Sequence, residues 1–370
     1  MRALCPLLVA PLAGLLALGC GSKTGLLIPD SSVEPDAGMD GAVCMPGELV
    51  LTRRGAQVIF TIDRSNSMAD RLEGGDPMPG EPTRWEILQD ALGATLPISD
   101  PLLEVGAKFF PGVIPEDVMS PAEACLVDSG IDLEPRRGNA PQLLRFFETT
   151  EPRGGTPTAV GLGEISTWIG MNPAPGIPRF VVLATDGGPN CNPDVGIPTD
   201  VCLCTGTRED CLSPIVSPYN CIDEQRTQDA IARLFAGQGV PVYVIGIDNP
   251  ARPDLMEVLD RMAIAGGRPR PDDGGSRFYS VRRTEDLRGA LTTITESIAR
   301  CVFTVLPAPP ASGAIELSIE GTLIPRDPTR TEGWDFTTPD RREVSLFGGA
   351  CERAVAADGV VDAIVPCPPR

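Results

Sequence analysis

Apolar runs and helical spacings alternate along most of this chain. Val58, Ile59, Phe60, Thr61 and Ile62 form a nearly unbroken apolar run, the pattern of a strand buried on both faces. Trp85, Leu88, Leu92 and Leu96 then recur at helical spacing and predict a helix over 85–96. Residues 102–110 predict a strand, and 141–147 a short helix. Residues 156–169 predict a longer helix, with Val160, Ile165 and Trp168 on one broad apolar side. Phe180 to Ala184 is a second fully apolar strand. Beyond it the pattern predicts helices over 227–235, 254–265 and 285–299, with strands over 240–247 and 277–281 between them. Strands separated by helices predict an α/β fold, a doubly wound and mostly parallel sheet covered on both faces. No internal repeat occurs.

After Cys301 the pattern changes. Residues 314–320 alternate strictly between apolar and polar, and 334–336, 343–347 and 360–365 are further short strand candidates between Pro, Gly and Asp turns. No helical stretch is predicted there, so 302–370 reads as a small all-β appendage. The other end of the chain reads as an address. Arg2 is followed by an almost wholly apolar stretch from Leu7 to Leu18, and Gly19 and Cys20 end it. Cys20 after Gly19 resembles a bacterial lipobox, in which the cysteine is acylated, although Leu16 stands four rather than three residues before it. The alternative, an uncleaved anchor, meets a run shorter than the ~20 residues a membrane span needs. The expected organisation is a lipoprotein signal at 1–19 and a flexible Gly/Ser/Asp/Pro tether at 20–47. An α/β domain at 48–301 follows, then the β appendage at 302–370. The tether would reach roughly 30 Å.

Composition narrows the function. The 370 residues carry a formal net charge of -19, which repels a nucleic-acid backbone. There is no His, and Lys23 and Lys108 are the only lysines. That removes the usual general base, the usual Schiff-base residue and the commonest zinc ligand.

Of the 12 cysteines, Cys5 lies in the signal and Cys20 would carry lipid. The remaining ten, an even number, read as disulfides in an oxidising compartment. Cys125, Cys191, Cys202, Cys204, Cys211 and Cys221 concentrate in two irregular stretches, 113–140 and an insertion at 190–222, where three disulfides are expected. A zinc site is the rival reading, opposed by the compartment and by the absence of paired Cys-x-x-Cys knuckles. In a doubly wound fold the first strand starts and the last helix ends at the same face, so Cys44 is expected to bond Cys301. Cys351 is then expected to bond Cys367 within the appendage.

Three short segments carry the candidate chemistry. Asp63, Ser65 and Ser67 follow the first buried strand directly, where open α/β sheets bind ligands. Gly154, Gly155, Thr156, Pro157 and Thr158 open a helix, and Thr185, Asp186, Gly187 and Gly188 end the next apolar strand. Each alone is ordinary turn or capping chemistry. Together, in this order and on these elements, they resemble the von Willebrand factor A family over roughly 48–300. Asp63, Ser65, Ser67, Thr156 and Asp186 fall on all five positions of its metal-ion-dependent adhesion site. Asn66 stands where Gly is frequent.

The resemblance implies Mg²⁺, or Mn²⁺ or Ca²⁺ in its place, held by three neutral hydroxyls and two aspartates. Such an ion stays electrophilic and accepts an Asp or Glu carboxylate from a partner protein. The implied function is that of an exported, lipid-anchored envelope adhesin, placed in the outer membrane and not an enzyme. The alternatives are a structural component of an envelope complex with incidental metal, and a metal-dependent hydrolase.

Overall fold

The computed structural model describes residues 47–366 apart from 53–55, 100–101, 115–119, 175–176, 195–201, 207–210, 213–216, 248–251, 271, 273, 308, 310–313, 331, 338–340 and 358–359. These residues belong to one compact unit, Met45–Arg370. The signal segment, Cys20, the tether, Cys44 and Cys367 lie outside the described residues. Among the described residues, no helix is long and apolar enough to cross a membrane.

The chain begins with β1 (Gly47–Thr52) and enters the α/β body with β2 (Ala56–Asp63), α1 (Arg84–Ser99), β3 (Leu103–Phe110), β4 (Leu133–Arg136), α2 (Ala140–Thr149) and α3 (Thr158–Met171). There follow β5 (Arg179–Thr185), α4 (Ser217–Asn220), α5 (Glu224–Ala232), β6 (Val242–Ile247), α6 (Pro253–Ala265), β7 (Tyr279–Val281) and α7 (Thr284–Cys301). Six strands form a sheet in the order β4-β3-β2-β5-β6-β7, parallel throughout except at the edge strand β4.

Side-chain alternation explains why the central strands read as continuous apolar runs. Val58, Phe60 and Ile62 of β2, with Phe180 and Val182 of β5, face a core shared with α1, α2 and α7. Ile59, Val181 and Leu183 face the opposite core, shared with α3, α5 and α6. Both faces are covered, so polar alternation has no place. Strand β4 was not predicted. It is short, carries Pro135, and survives at the edge because proline there removes no ladder bond. Gly106 of β3 makes its approach possible, since a Cβ at that position would lie 2.8 Å from the Leu133 carbonyl oxygen.

The second sheet is larger than the expected appendage. After α7 come β8 (Val302–Leu306), β9 (Glu316–Ile319), β10 (Thr322–Ile324), β11 (Gly333–Phe336), β12 (Glu343–Phe347), α8 (Gly349–Ala356) and β13 (Asp362–Val365). With β1 they form a seven-stranded antiparallel sheet in the order β10-β9-β13-β1-β8-β12-β11. Gly47 to Leu49 pair with β13, and Val50 to Thr52 pair with β8. One strand thus joins the two halves over a core that includes Leu49, Phe303, Leu317, Trp334 and Val344.

Two expectations are corrected. The strand near residue 48 belongs to this antiparallel sheet, so the α/β body sits between β1 and β8 rather than beginning at 48. The region after Cys301 also contains the helix α8, whose Ala350 and Ala354 are buried against the β core. Arg268 joins the two sheets. Its guanidinium donates to Ser345 Oγ at 3.1 Å and lies within 6 Å of the Phe180, Tyr243 and Phe347 ring centroids, at 5.6, 5.8 and 5.3 Å.

The disulfide framework also differs from expectation. Cys301 bonds Cys351, so neither the Cys44–Cys301 nor the Cys351–Cys367 pairing holds. The physical reason is the route of the chain. Helix α7 runs directly into β8, and the β1–β8 register sets Thr52 opposite Thr304. Cys301 is therefore near the Thr52 end of β1, and beside α8. The β1–β13 register instead sets Gly47 opposite Val365, close in sequence to Cys44 and Cys367. Peptide mapping without reduction should recover Cys301 with Cys351, and Cys44 with Cys367. A Cys44–Cys301 peptide would refute this assignment.

Candidate metal centre

The C-terminal ends of β2 and β5 lie side by side, and from β2 the chain crosses to β3 on one flank and later to β5 on the other. This is a topological switch point, where the strand ends leave a crevice. Asp63 ends β2, and Asp186 follows β5 directly.

The loop after β2 is fixed at both ends. The Ser65 N–H donates to Asp63 Oδ1 at 2.8 Å, and the Thr185 hydroxyl donates to Asp63 Oδ2 at 2.6 Å. Arg64 turns inward and donates to the carbonyls of Pro111 and Gly112, anchoring the loop beneath β3. Burial pushes its guanidinium pKa down, opposed by Asp128 and Asp132. Ser65 Oγ lies 3.1 Å from Ser67 Oγ, and Ser67 Oγ donates to Asp186 Oδ1 at 3.0 Å. A continuous line of oxygens therefore runs from the first loop to the second aspartate.

Thr156 is on the adjoining loop. The Asn66 N–H donates to Gly154 O at 2.9 Å and brings the two loops together. Asn190 clamps Thr156 from the other side: the Thr156 N–H donates to Asn190 Oδ1 at 2.7 Å, and the Asn190 N–H donates to Thr156 O at 2.9 Å. The loop also lies against the Cys125–Cys191 disulfide. A Cβ on Gly155 would fall 2.5 Å from Cys191 Sγ and 3.1 Å from Cys125 Sγ, so only glycine fits between the disulfide and Thr156.

The cysteine-rich stretch forms two further disulfides, Cys202–Cys221 and Cys204–Cys211. Cys202, Cys211 and Cys221 are the one group of three potential metal-binding side chains of the His, Cys, Asp and Glu types clustered among the described residues. Their sulfurs are spent in these disulfides, so they offer no thiolates to zinc. Asn190 Nδ2 donates to Thr205 Oγ1 at 2.8 Å, so this rim contacts the residue that holds Thr156.

Electrostatics separate the two aspartates. Burial pushes the Asp63 carboxyl up to about 7, and neighbouring Asp186 adds to the shift, against the bonds from Thr185 and Ser65. Burial also raises Asp186, but Arg84 opposes it with an ion pair at 2.5 Å. Among the described residues, Asp63 has no such cationic partner. A fully buried carboxylate beside another, with serine hydroxyls alongside, fits a small hard cation, because its charge would offset a cost that protein groups leave standing. Arg84 and Asn190 were missed in the sequence, and Thr185 was given no role of its own there. No local spacing marks Arg84, which reaches Asp186 only because α1 packs beside the crevice.

No family model and no curated protein matches this chain. Among solved structures, it is similar to the PilB minor pilin from Streptococcus sanguinis at 18% identity and a TM-score of 0.44, with 67% of this chain and 62% of that chain covered. It is similar to the vWF domain of the type V pili tip protein Mfa5 from Porphyromonas gingivalis at 13% identity and a TM-score of 0.40, covering 67% and 96% of the two chains. It is also similar to the manganese-loaded TRAP protein of Plasmodium vivax at 14% identity and a TM-score of 0.40, covering 78% and 90%. This chain therefore spans 62% of the length of the pilin it matches.

Proposed function

We propose that this chain is an exported envelope-binding protein, built on a von Willebrand factor A-type domain, that grips a partner's carboxylate through a divalent ion. The observation that supports it most is the buried Asp63 carboxylate, which has no cationic partner among the described residues and is joined through Ser65, Ser67 and Asp186 to a solvent-facing edge. Asp63, Ser65, Ser67, Thr156 and Asp186 would hold Mg²⁺ or Mn²⁺, with Ca²⁺ a poorer fit to six close oxygens. When bound, the ion supplies an electrophilic position for an Asp or Glu oxygen. Asp63 and Thr185 set the loop, Asn190 orients Thr156, and Arg84 neutralises Asp186, so the net charge of the loaded site stays positive toward an anionic ligand. Ser67 is half-buried and Asn66 exposed, which keeps the edge open to a partner. Acylation at Cys20 would tether the protein to the membrane, giving an outer-membrane lipoprotein.

The test is retention of intact envelopes on the immobilised full chain in Mg²⁺, Mn²⁺ and chelator, with Asp63→Asn beside wild type. Retention should require metal and should fail in the variant. Equal retention in chelator would favour an assembly role with incidental metal, and turnover of an ester or phosphate substrate would restore the hydrolase reading. In cells, Cys20→Ser should release the protein from membranes or leave an unprocessed precursor, and unchanged membrane retention would reject the lipid anchor.

A further inference from the structure

Thr156 is held in the candidate metal centre differently from the other four residues. Asp63 ends a core strand, and the neighbouring Arg64 is buried and donates to the Pro111 and Gly112 carbonyls. Asp186 is held by Arg84 of α1. Thr156 instead follows Gly154 and Gly155, and the Asn190 clamp on its backbone comes from the cysteine-rich rim.

Every member of that clamp stands beside a bridged cysteine. Asn190 precedes Cys191, which bonds Cys125. Asn190 Nδ2 donates to Thr205 Oγ1 at 2.8 Å, and Thr205 follows Cys204, which bonds Cys211. Thr205 donates to the Asn220 carbonyl at 2.9 Å from both its N–H and its hydroxyl, and Asn220 precedes Cys221, which bonds Cys202. Cys204 and Cys221 pair across an antiparallel bridge, and the Cys202, Cys211 and Cys221 sulfurs lie within 4.8 Å of one another. Among the described residues between 189 and 220, none belongs to any of the three hydrophobic cores. Cross-links therefore do here what apolar burial does elsewhere in the chain.

We infer that the rim makes the metal grip redox-sensitive: Thr205 is a positioning residue that acts through Asn190, and opening the rim disulfides loosens Thr156 and weakens divalent-ion binding. This rests on the reading of Asp63, Ser65, Ser67, Thr156 and Asp186 as a divalent-ion site. The reductant is a dithiol. One of its thiolates attacks Cys204 Sγ, the half-buried partner of buried Cys211, forming a mixed disulfide and expelling the Cys211 thiolate. The second reductant thiolate then attacks the reductant's sulfur in the mixed disulfide, closing the reductant's own disulfide and expelling Cys204. Two electrons pass to the protein, and the two cysteine thiolates take up the two protons that the dithiol gave up. Cys202–Cys221 and Cys125–Cys191 open by the same steps. Thr156 offers one neutral oxygen, and partners that orient a ligand from behind are worth about tenfold or more in metal affinity.

The experiment titrates Mg²⁺ by calorimetry into the full chain, oxidised and after treatment with dithiothreitol. Circular dichroism is the folding control, and alkylation with peptide mapping identifies the opened cysteines. Affinity should fall about tenfold on reduction and recover on reoxidation. In the oxidised chain, Thr205→Val keeps the side-chain shape and removes the hydroxyl, and it should cause a similar fall. Thr205→Ser should restore binding. In Thr156→Ala, neither reduction nor Thr205→Val should weaken binding further, because the oxygen they act through is already gone. A rim that only stiffens the fold would lower the melting temperature and leave affinity unchanged. Where reduction unfolds the chain, the Thr205 variants alone decide. Equal affinity in oxidised wild type and folded Thr205→Val would overturn the inference, and so would a full further loss in Thr156→Ala. Those two results leave the metal reading standing, whereas absence of Mg²⁺ binding in oxidised wild type would remove both.

Discussion

Asp63→Asn should weaken Mg²⁺ binding by at least ~100-fold, about 2.8 kcal/mol, and leave the fold intact. The substitution removes the charge but keeps the shape. Its amide oxygen can still accept from the Ser65 N–H, and its amide nitrogen can donate to the Thr185 hydroxyl, which rotates to accept. Asp63→Ala is the poorer probe, because it orphans both donors inside the protein. Asp186→Asn would confound the measurement in another way, by leaving the buried Arg84 unpaired. Ser65→Ala, Ser67→Ala and Thr156→Ala each delete one neutral oxygen and should cost less than the loss of a charge. Calorimetric titration with Mg²⁺, with circular dichroism as the folding control, makes the comparison. Wild-type affinity in folded Asp63→Asn would place the metal elsewhere.

In the absence of divalent metal, stability should fall as pH rises from about 4 to about 7, and Mg²⁺ should restore more of it at higher pH. The folded Asp63 carboxyl sits at about 7 against an ordinary value of 3.8, so the folded chain holds this proton more tightly than the unfolded chain does. Below 3.8 both states are protonated and nothing is lost. As pH climbs, the unfolded chain releases its proton first, and the stabilisation disappears fully once pH passes the folded value. A shift of this size corresponds to on the order of 4 kcal/mol. Asp186 moves in the same direction, from burial. Mg²⁺ binds the ionised carboxylates and competes with the proton, so the melting-temperature gain from Mg²⁺ should grow between about pH 5 and about pH 8. Thermal melts across that range, with and without chelator, test it, and Asp63→Asn should flatten the metal-free slope. A Mg²⁺ shift of equal size at both ends of the range would contradict the assignment.

Much of the α/β body was legible because its strands are buried twice. Continuous apolar runs such as 58–62 and 180–184 have few other uses in a chain of this length, and the helices between them have clear spacing. The loop positions Asp63, Ser65, Ser67 and Asp186 were legible because they follow those runs immediately, and the structure joins all four through hydrogen bonds. Thr156 was legible from the helix it precedes, but its clamp by Asn190 was not, since that bond spans 34 residues.

The sequence by itself placed most strands and helices of the α/β body and the loops after β2 and β5 that carry Asp63, Ser65, Ser67 and Asp186. Those features are set by local periodicity and by the two-sided burial of the strands, both of which act over a few residues. Only the tertiary structure decided that β1 pairs with β8 and β13, that Cys301 bonds Cys351, and that Arg84 neutralises Asp186. It also decided that Arg330, after β10, lies over the Phe235 ring of the α/β body. Strand pairing in an antiparallel sheet follows register and twist between segments distant in sequence, and β1, six residues long, has no pattern that names its partner. A charge pair such as Arg84 with Asp186 is decided by which helix face packs against which strand end, 102 residues away.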